Sequence, residues 1–303
     1  MDIQALSGNL KQNSAYNTLP YADYIKDAST LLNSETFEHD LKNTTVVMRV
    51  YPYAKRSDES TVKSRLLDMI IKPDFYKQIR TEQQLGYIVW SGKYDILYRQ
   101  NDFGLYFFIQ CTKTLQEIIQ QDIEAVANDN NSQNIAILTR NIEYVYSAIL
   151  SEGEQEKLQQ LINDFLNNPQ SYQETLLETI KNLSIDESNA ETQKQELLNG
   201  EIDLFVKLTT KTIADLTNDE LEKLKQSLIE ELTKKPTNRN EVLHANFTEI
   251  MIGRNQFTRN QELADLVKAI TKEKLLEFYQ ATTESEAQPK KIIGQYKPQN
   301  TEN

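Results

Sequence analysis

Apolar positions fall into two rhythms along this chain, and they change places at identifiable points. Between Thr44 and Tyr53, Val46, Met48 and Val50 alternate with Val47, Arg49 and Tyr51, a period of two that predicts a strand limited by Pro52. Ser57 or Ser60 is then placed to cap a helix whose buried face is Val62, Leu66, Met69 and Ile70, with Pro73 as its stop. Pro73 also suits the start of a further short helix, in which Phe75 and Ile79 lie one turn apart. That helix hands over to an apolar strand, Leu85 to Val89 with Trp90, which places Arg80 at a helix end and Tyr87 in a strand. A polar turn, Gly92 to Asp102, leads to a third strand in which Phe103, Leu105, Phe107, Ile109 and Cys111 share one face. Leu115, Ile118, Ile119, Ile123 and Val126 return the chain as a helix. The order β-α-α-β-β-α predicts an α+β fold with an antiparallel-rich sheet covered by helices on one face.

Beyond a polar break at 128–134 the rhythm stays helical. Ile135, Leu138, Ile142 and Val145 form one stripe, Leu158, Leu161, Ile162 and Leu166 a second, and Leu176, Leu177 and Ile180 a third. Thr217 and Glu220 have capping-box spacing ahead of the stripe Leu221, Leu224, Leu228, Ile229 and Leu232. Further helices hold Val242 to Met251, Leu263 to Ile270 and the run after Thr271, and Ile292 to Tyr296 reads as a closing strand. The domain reading is a connector over 1–43, one α/β domain over 44–298 with a helical insertion at about 128–200, and a tail from 299 to 303.

Composition narrows the partners. At 303 residues the chain has room for a real core, but 39% hydrophobic and 26% charged residues imply much solvent-facing helix. A net charge of −12 argues against nucleic acid and against an anionic membrane surface, and makes a cationic or mixed peptide the better electrostatic match. No apolar run approaches the ~20 residues needed to span a bilayer. The polar N-terminus has no signal-peptide core, which bears on compartment only if the chain begins its protein. Cys111 stands alone in an apolar strand pattern, where a reduced, buried thiol is the default.

The stretch with chemistry in it is F-Y-K-Q-I-R-T-E-Q-Q-L-G-Y, residues 75–87. An Arg, then a Tyr seven positions later with L-G directly before it, resembles the C-terminal half of the insulinase/pitrilysin family of zinc metallopeptidases. The resemblance covers about 44–127 and 203–296, and has no counterpart for the intervening helical residues. It implies that Arg80 and Tyr87 reach into a peptide chamber and hydrogen-bond substrate near the scissile bond, while an N-terminal half holds the zinc. Arg80 offers a fork of N–H donors to a carbonyl or carboxylate, and Tyr87 a phenolic O–H to an oxygen gaining charge. Set beside this is the plain reading, an Arg placed for the helix dipole and a Tyr that suits a strand.

The family's zinc motif, H-x-x-E-H on a helix, is not in this sequence, whose two histidines are His39 and His244. No cofactor is therefore expected in this chain, with zinc belonging to the missing half and a peptide as substrate. Glu241 and His244 are three apart on a helix, too few ligands for a metal site, and are read as a surface pair, as is His39 in E-H-D. The glutamates at 152, 154 and 156 read as a solvated face. The chain is read as the substrate-orienting part of a metalloendopeptidase, inactive alone. The alternatives are a separate non-catalytic subunit or interaction protein pairing with a zinc-bearing partner, its helical insertion offering the surface, and a motif retained after its function was lost. Likeness to the bacterial branch implies a periplasmic whole protein.

Overall fold

The structure is a computed structural model, and it describes residues 44–53, 56–95, 103–149, 151–251, 256–284 and 290–295. The connector at 1–43, the tail, His39, Gly253 and Tyr296 lie outside these residues.

Four strands form one antiparallel sheet: β1 (Thr45–Pro52), β2 (Ile88–Asp95), β3 (Phe103–Cys111) and β4 (Lys290–Gln295), in the order β2-β3-β1-β4. Its two faces differ because side chains alternate along each strand. Val47 and Tyr51 of β1, and Phe103, Leu105, Phe107, Ile109 and Cys111 of β3, are buried on one side. On the other, Met48, Phe108 and Trp90 stand in one cross-strand row, the first two half-buried and Trp90 59% exposed with its ring 5.8 Å from that of Phe108. Helices therefore cover one face, which is the expected α+β arrangement. Gly104 of β3 has no room for a side chain, since a Cβ would stand 2.2 Å from the Tyr51 carbonyl oxygen of β1.

The covering helices begin with α1 (Asp58–Phe75), whose N-terminus is closed by a reciprocal Ser57–Ser60 capping box. Contrary to the sequence expectation, α1 does not stop at Pro73 and no separate helix starts there. The chain runs through the proline and continues directly as a π-helix, Tyr76–Glu82. A proline inside a helix costs ~3 kcal/mol. Against it stand Ile70 and Ile71 before the proline and Phe75 and Ile79 after it, all buried, each worth about 1.5–3 kcal/mol. Burial on both sides outweighs the break, and the helix widens instead of ending.

Phe75 joins the layers. Its ring lies 5.1 Å from Phe107 of β3 and 4.9 Å from Phe205, which is itself 5.8 Å from Phe107. Phe205 belongs to α6 (Glu187–Asp215), a helix of 29 residues that the sequence stripes did not delimit. It is reached through α2 (Leu115–Asn128), α3 (Ser132–Ala148), α4 (Glu152–Asn167) and α5 (Pro169–Lys181). α2 packs on α3 and α5, α3 on α6, and α6 on β1, so the helical residues from 132 onward share one hydrophobic core with the sheet. One continuous helix thus crosses positions 200–203, where the sequence pattern placed the end of the insertion.

The chain closes with α7 (Asn218–Thr233), α8 (Arg239–Met251), α9 (Arg259–Lys268) and α10 (Lys272–Thr283). The Thr217–Glu220 capping box and the Leu221, Leu228 and Leu232 stripe of α7 are as the spacing predicts. α9 packs on α7 and on α1, where Arg259 grips Asp58 at the start of α1 through its Nε at 3.0 Å and a terminal nitrogen at 2.7 Å. α8 differs from the rest, since Val242, Leu243, Phe247 and Ile250 are exposed.

Candidate functional site

Arg80 sits on the π-helix between two anchors. Ile79 is fully buried before it, and Leu85, 2% exposed, donates its N–H back to the Ile79 carbonyl at 3.0 Å. The Gln83 N–H reaches the Gln78 carbonyl at 3.0 Å, the i to i+5 bond of a π turn. The helix therefore ends on a return loop in which the apolar side chains are fixed inward and Tyr76, Arg80 and Tyr87 are left outward. Phe75 and Ile79 do share a buried face, as their spacing predicts.

Tyr87 is not in the strand, a correction to the sequence expectation. β2 starts at Ile88 and runs through Gly92 to Asp95, residues whose polarity suggested a turn. Tyr87 stands one position before it, 69% exposed, with its N–H bonded to the Gln110 carbonyl of β3 at 2.9 Å. The backbone is thus tied to the sheet while the side chain remains outside the pleated surface. Gly86 explains the small residue before it. A Cβ there would meet Val89 Cγ2 at 2.7 Å, Ile109 Cγ2 at 3.1 Å and the Gln110 carbonyl oxygen at 3.3 Å. The backbone approaches β3 closely, and a side chain would hold it off.

The outcome is a cation beside two aromatic rings. The Arg80 guanidinium carbon lies 5.6 Å from the centre of the Tyr76 ring and 5.4 Å from that of Tyr87, both within cation–π range. Among the described residues, Arg80 has no hydrogen-bond or ion-pair partner, and neither does the Tyr87 hydroxyl. Both rings attract the cation without consuming its N–H donors. Such a group is preorganised to donate in its own plane to a carbonyl or carboxylate, with the Tyr87 phenol as a second donor from the same surface. Sequence reasoning singled out Arg80 and Tyr87 and did not name Tyr76, which the structure sets beside Arg80. Its i to i+4 spacing from Arg80 was the available signal.

The other ionisable groups singled out from sequence lie elsewhere. Glu241 is exposed and accepts from the Thr237 N–H at 2.7 Å, which holds its carboxyl below the usual range; the side chain of His244 is outside the described residues. Ser151 caps α4 by accepting from the Glu154 N–H, and its hydroxyl donates to the Glu154 carboxylate at 2.6 Å, which likewise lowers that carboxyl. Cys111 is a free, buried thiol pushed up by burial. Among the described residues there is no group of three or more His, Cys, Asp or Glu able to hold a metal ion, and no helix long and apolar enough to cross a membrane.

Comparison with known proteins bears on this stretch. Residues 66–157 match the family described as PQQ synthase PqqF-like, C-terminal lobe domain 4. The match takes in the second half of α1, the π-helix, Tyr76, Arg80, Tyr87, β2, β3, α2 and α3. The crystal structure of pitrilysin is similar at 16% identity and a TM-score of 0.49, over 83% of this chain and 18% of that one. This chain therefore spans less than a fifth of the length of pitrilysin. No curated protein matched in a sequence comparison. Residues 66–157, which hold Arg80 and Tyr87, are thus similar to the C-terminal lobe domain 4 of PqqF-like proteins.

Proposed function

We propose that this chain is the substrate-orienting part of an insulinase/pitrilysin-type zinc metalloendopeptidase. It supplies Arg80 and Tyr87 to a zinc site held by an N-terminal half or subunit, whose metal activates the attacking water. The observation that carries the reading is the Arg80 guanidinium, within cation–π reach of both Tyr76 and Tyr87 and with its donors unused among the described residues. A structural arginine would spend those donors on helix-end carbonyls or a carboxylate. Arg80 orients the peptide backbone beside the scissile bond, and Tyr87 donates to the oxyanion as the tetrahedral intermediate forms. Because these donors and the metal lie on different parts, catalysis depends on the two parts closing around the peptide.

The test is cleavage of a quenched fluorescent peptide by this chain alone and mixed with a zinc-bearing N-terminal half, each with and without chelator. Activity in the mixture alone, abolished by chelator, is the expected result. Tyr87→Phe should then cost about 10²–10³ in turnover, the usual loss for one oxyanion donor, with thermal stability retained. Undiminished cleavage by an assembled Tyr87→Phe enzyme would refute the assigned role. A second reading, a separate non-catalytic subunit, is favoured by the exposed apolar face of α8, Val242, Leu243, Phe247 and Ile250, which suits a partner surface. Binding of the zinc-bearing half with no gain in peptide cleavage would support that alternative.

A further inference from the structure

The turn that carries the chain from Arg80 to Tyr87 is held from outside by two side chains that peptide orientation does not use. The π-helix ends with the Leu85 N–H on the Ile79 carbonyl, six residues back, and with Gln84 in the left-handed region at a φ of 49°. A helix end of this shape ordinarily has glycine at the left-handed position, because a Cβ there crowds the following carbonyl. Gln84 carries a side chain and adopts the conformation nonetheless. Its own carbonyl accepts from Lys113 Nζ at 3.0 Å, and the carbonyl before it, that of the buried Gln83, accepts from Gln121 Nε2 at 2.8 Å. Lys113 Nζ also donates to Gln121 Oε1, so the two donors form one unit. Lys113 follows the end of β3 by two residues, and Gln121 lies in the second turn of α2. The strand that ties down the Tyr87 N–H through the Gln110 carbonyl therefore also delivers the ammonium to the turn.

We infer that Lys113 and Gln121 are positioning residues: by holding the Gln83 and Gln84 carbonyls they fix the turn from which Tyr87 is presented beside Arg80. The inference rests on the proposed role of that pair for its functional meaning, and on these three hydrogen bonds for its geometry. A charged donor on a carbonyl stabilises more than a neutral one, and here it acts on the one non-glycine residue with a positive φ among the described residues. Only Leu85 and Gly86 separate Gln84 from Tyr87, and both are fixed, Leu85 by burial and Gly86 by its close approach to β3. A change in the Gln84 backbone is thus passed on to Tyr87 with nothing between them to absorb it.

Amide hydrogen exchange on the full chain tests the hold on the turn, read at Leu85 and Tyr87, whose N–H groups bond Ile79 and Gln110. Lys113→Met keeps the aliphatic stem and removes the donor, and Gln121→Leu does the same for the amide. Each should speed exchange at both positions by about tenfold, with α7 and α9 unchanged, as expected of a local opening. Lys113→Arg keeps a charged donor and should keep the protection. Gln84→Gly supplies a residue at ease with positive φ, so in that background Lys113→Met should speed exchange much less. In the assembled two-part enzyme Lys113→Met should lower kcat by about tenfold, and should add nothing to the loss caused by Tyr87→Phe, because it acts through that residue. Exchange at Leu85 and Tyr87 unchanged by both Lys113→Met and Gln121→Leu, or protection lost equally in α7 and α9, would overturn the inference. A kcat loss from Lys113→Met that persists undiminished in the Tyr87→Phe enzyme would overturn it as well. If Tyr87→Phe by itself leaves peptide cleavage intact, the peptide-orienting role falls, and the exchange data alone decide whether Lys113 and Gln121 hold the turn.

Discussion

Replacing Gly86 by alanine isolates one steric requirement of the site. The added Cβ would stand 2.7 Å from Val89 Cγ2, a distance that real Cβ contacts do not reach, while Ile109 Cγ2 at 3.1 Å and the Gln110 carbonyl at 3.3 Å close the other directions. Val89 is 1% exposed and β-branched, so its χ1 is stiff and the methyl cannot swing aside into solvent. Overpacking of this kind costs about 1–3 kcal/mol, and lowering the entropy of the unfolded chain returns at most about 0.4–1 kcal/mol. The net expectation is a loss of roughly 0.5–2 kcal/mol, read by urea unfolding at constant m-value. The strain falls one residue before Tyr87, so peptide cleavage by the assembled enzyme should fall by more than the stability loss alone would give. In a Val89→Ala background the tightest contact disappears and the penalty should shrink, leaving a coupling energy of about 0.5–2 kcal/mol between the two positions. Equal penalties in both backgrounds, or a stabilised Gly86→Ala protein, would refute the steric account.

Two further outcomes follow from groups away from the site. Asp122, buried on α2 against Asn141 Nδ2 at 3.0 Å, is pushed up to about 6 from 3.8 by burial, with the Asn141 bond opposing and the Glu201 charge adding to the rise. The folded state then holds a proton that the unfolded chain releases, so this group's stabilisation is present below pH ~4 and is lost as pH rises through ~6, a cost of order 2–3 kcal/mol. The groups facing it are Glu201, Arg140 and Lys113. Asp122→Asn should flatten the decline of stability between pH 4.5 and 7 in urea titrations, and a slope unchanged by the substitution would assign that decline elsewhere. Arg259→Ala removes the fork on Asp58 that ties α9 to α1, and should cost about 1–2 kcal/mol of unfolding free energy. Arg259→Lys, which keeps the charge without the fork, should recover less than half of that.

Apart from β2, the strands and most helices were legible because their residues obey one period and the helices carry their own caps. β1, β3, α2, α7 and α10 start within two residues of the sequence expectation, and the Thr217–Glu220 box is formed. What was not legible has a common physical cause. α6 hides its length because Lys194, Asn199 and Glu201 are buried on it beside Leu197, Leu198 and Ile202, satisfied by groups far away in sequence, such as Arg49 on Asn199 and Arg140 on Glu201. A stripe of mixed polarity has no readable period. Pro73 misled in the same way: its local meaning is a stop, and the residues that override it, Phe107 and Phe205, lie 34 and 132 positions further on.

The override at Pro73 bears on the site itself. If α1 had ended at Pro73, a second α-helix with its own cap would carry Arg80, and its last-turn arginine would face free carbonyls of the ordinary kind. Continuing the helix into a π segment instead pairs the Gln78 and Ile79 carbonyls with the N–H groups of Gln83 and Leu85, and among the described residues Arg80 donates to no carbonyl. The rings of Tyr76 and Tyr87 then attract the cation without accepting its N–H donors. A local irregularity, offset by the aromatic contacts of Phe75, thus accompanies a helix-end arginine whose donors have no partner among the described residues. Tyr76→Ala probes that chain of cause directly. Half-exposed at 48%, Tyr76 contributes little to the core, so stability should change by less than about 1 kcal/mol. Arg80 loses one of its two ring faces, so peptide cleavage should drop with KM rising more than kcat falls, because orientation is lost before the oxyanion donor is. A fall in kcat with KM unchanged would place Tyr76 in the chemistry and remove the ring contacts as the reason for Arg80's position.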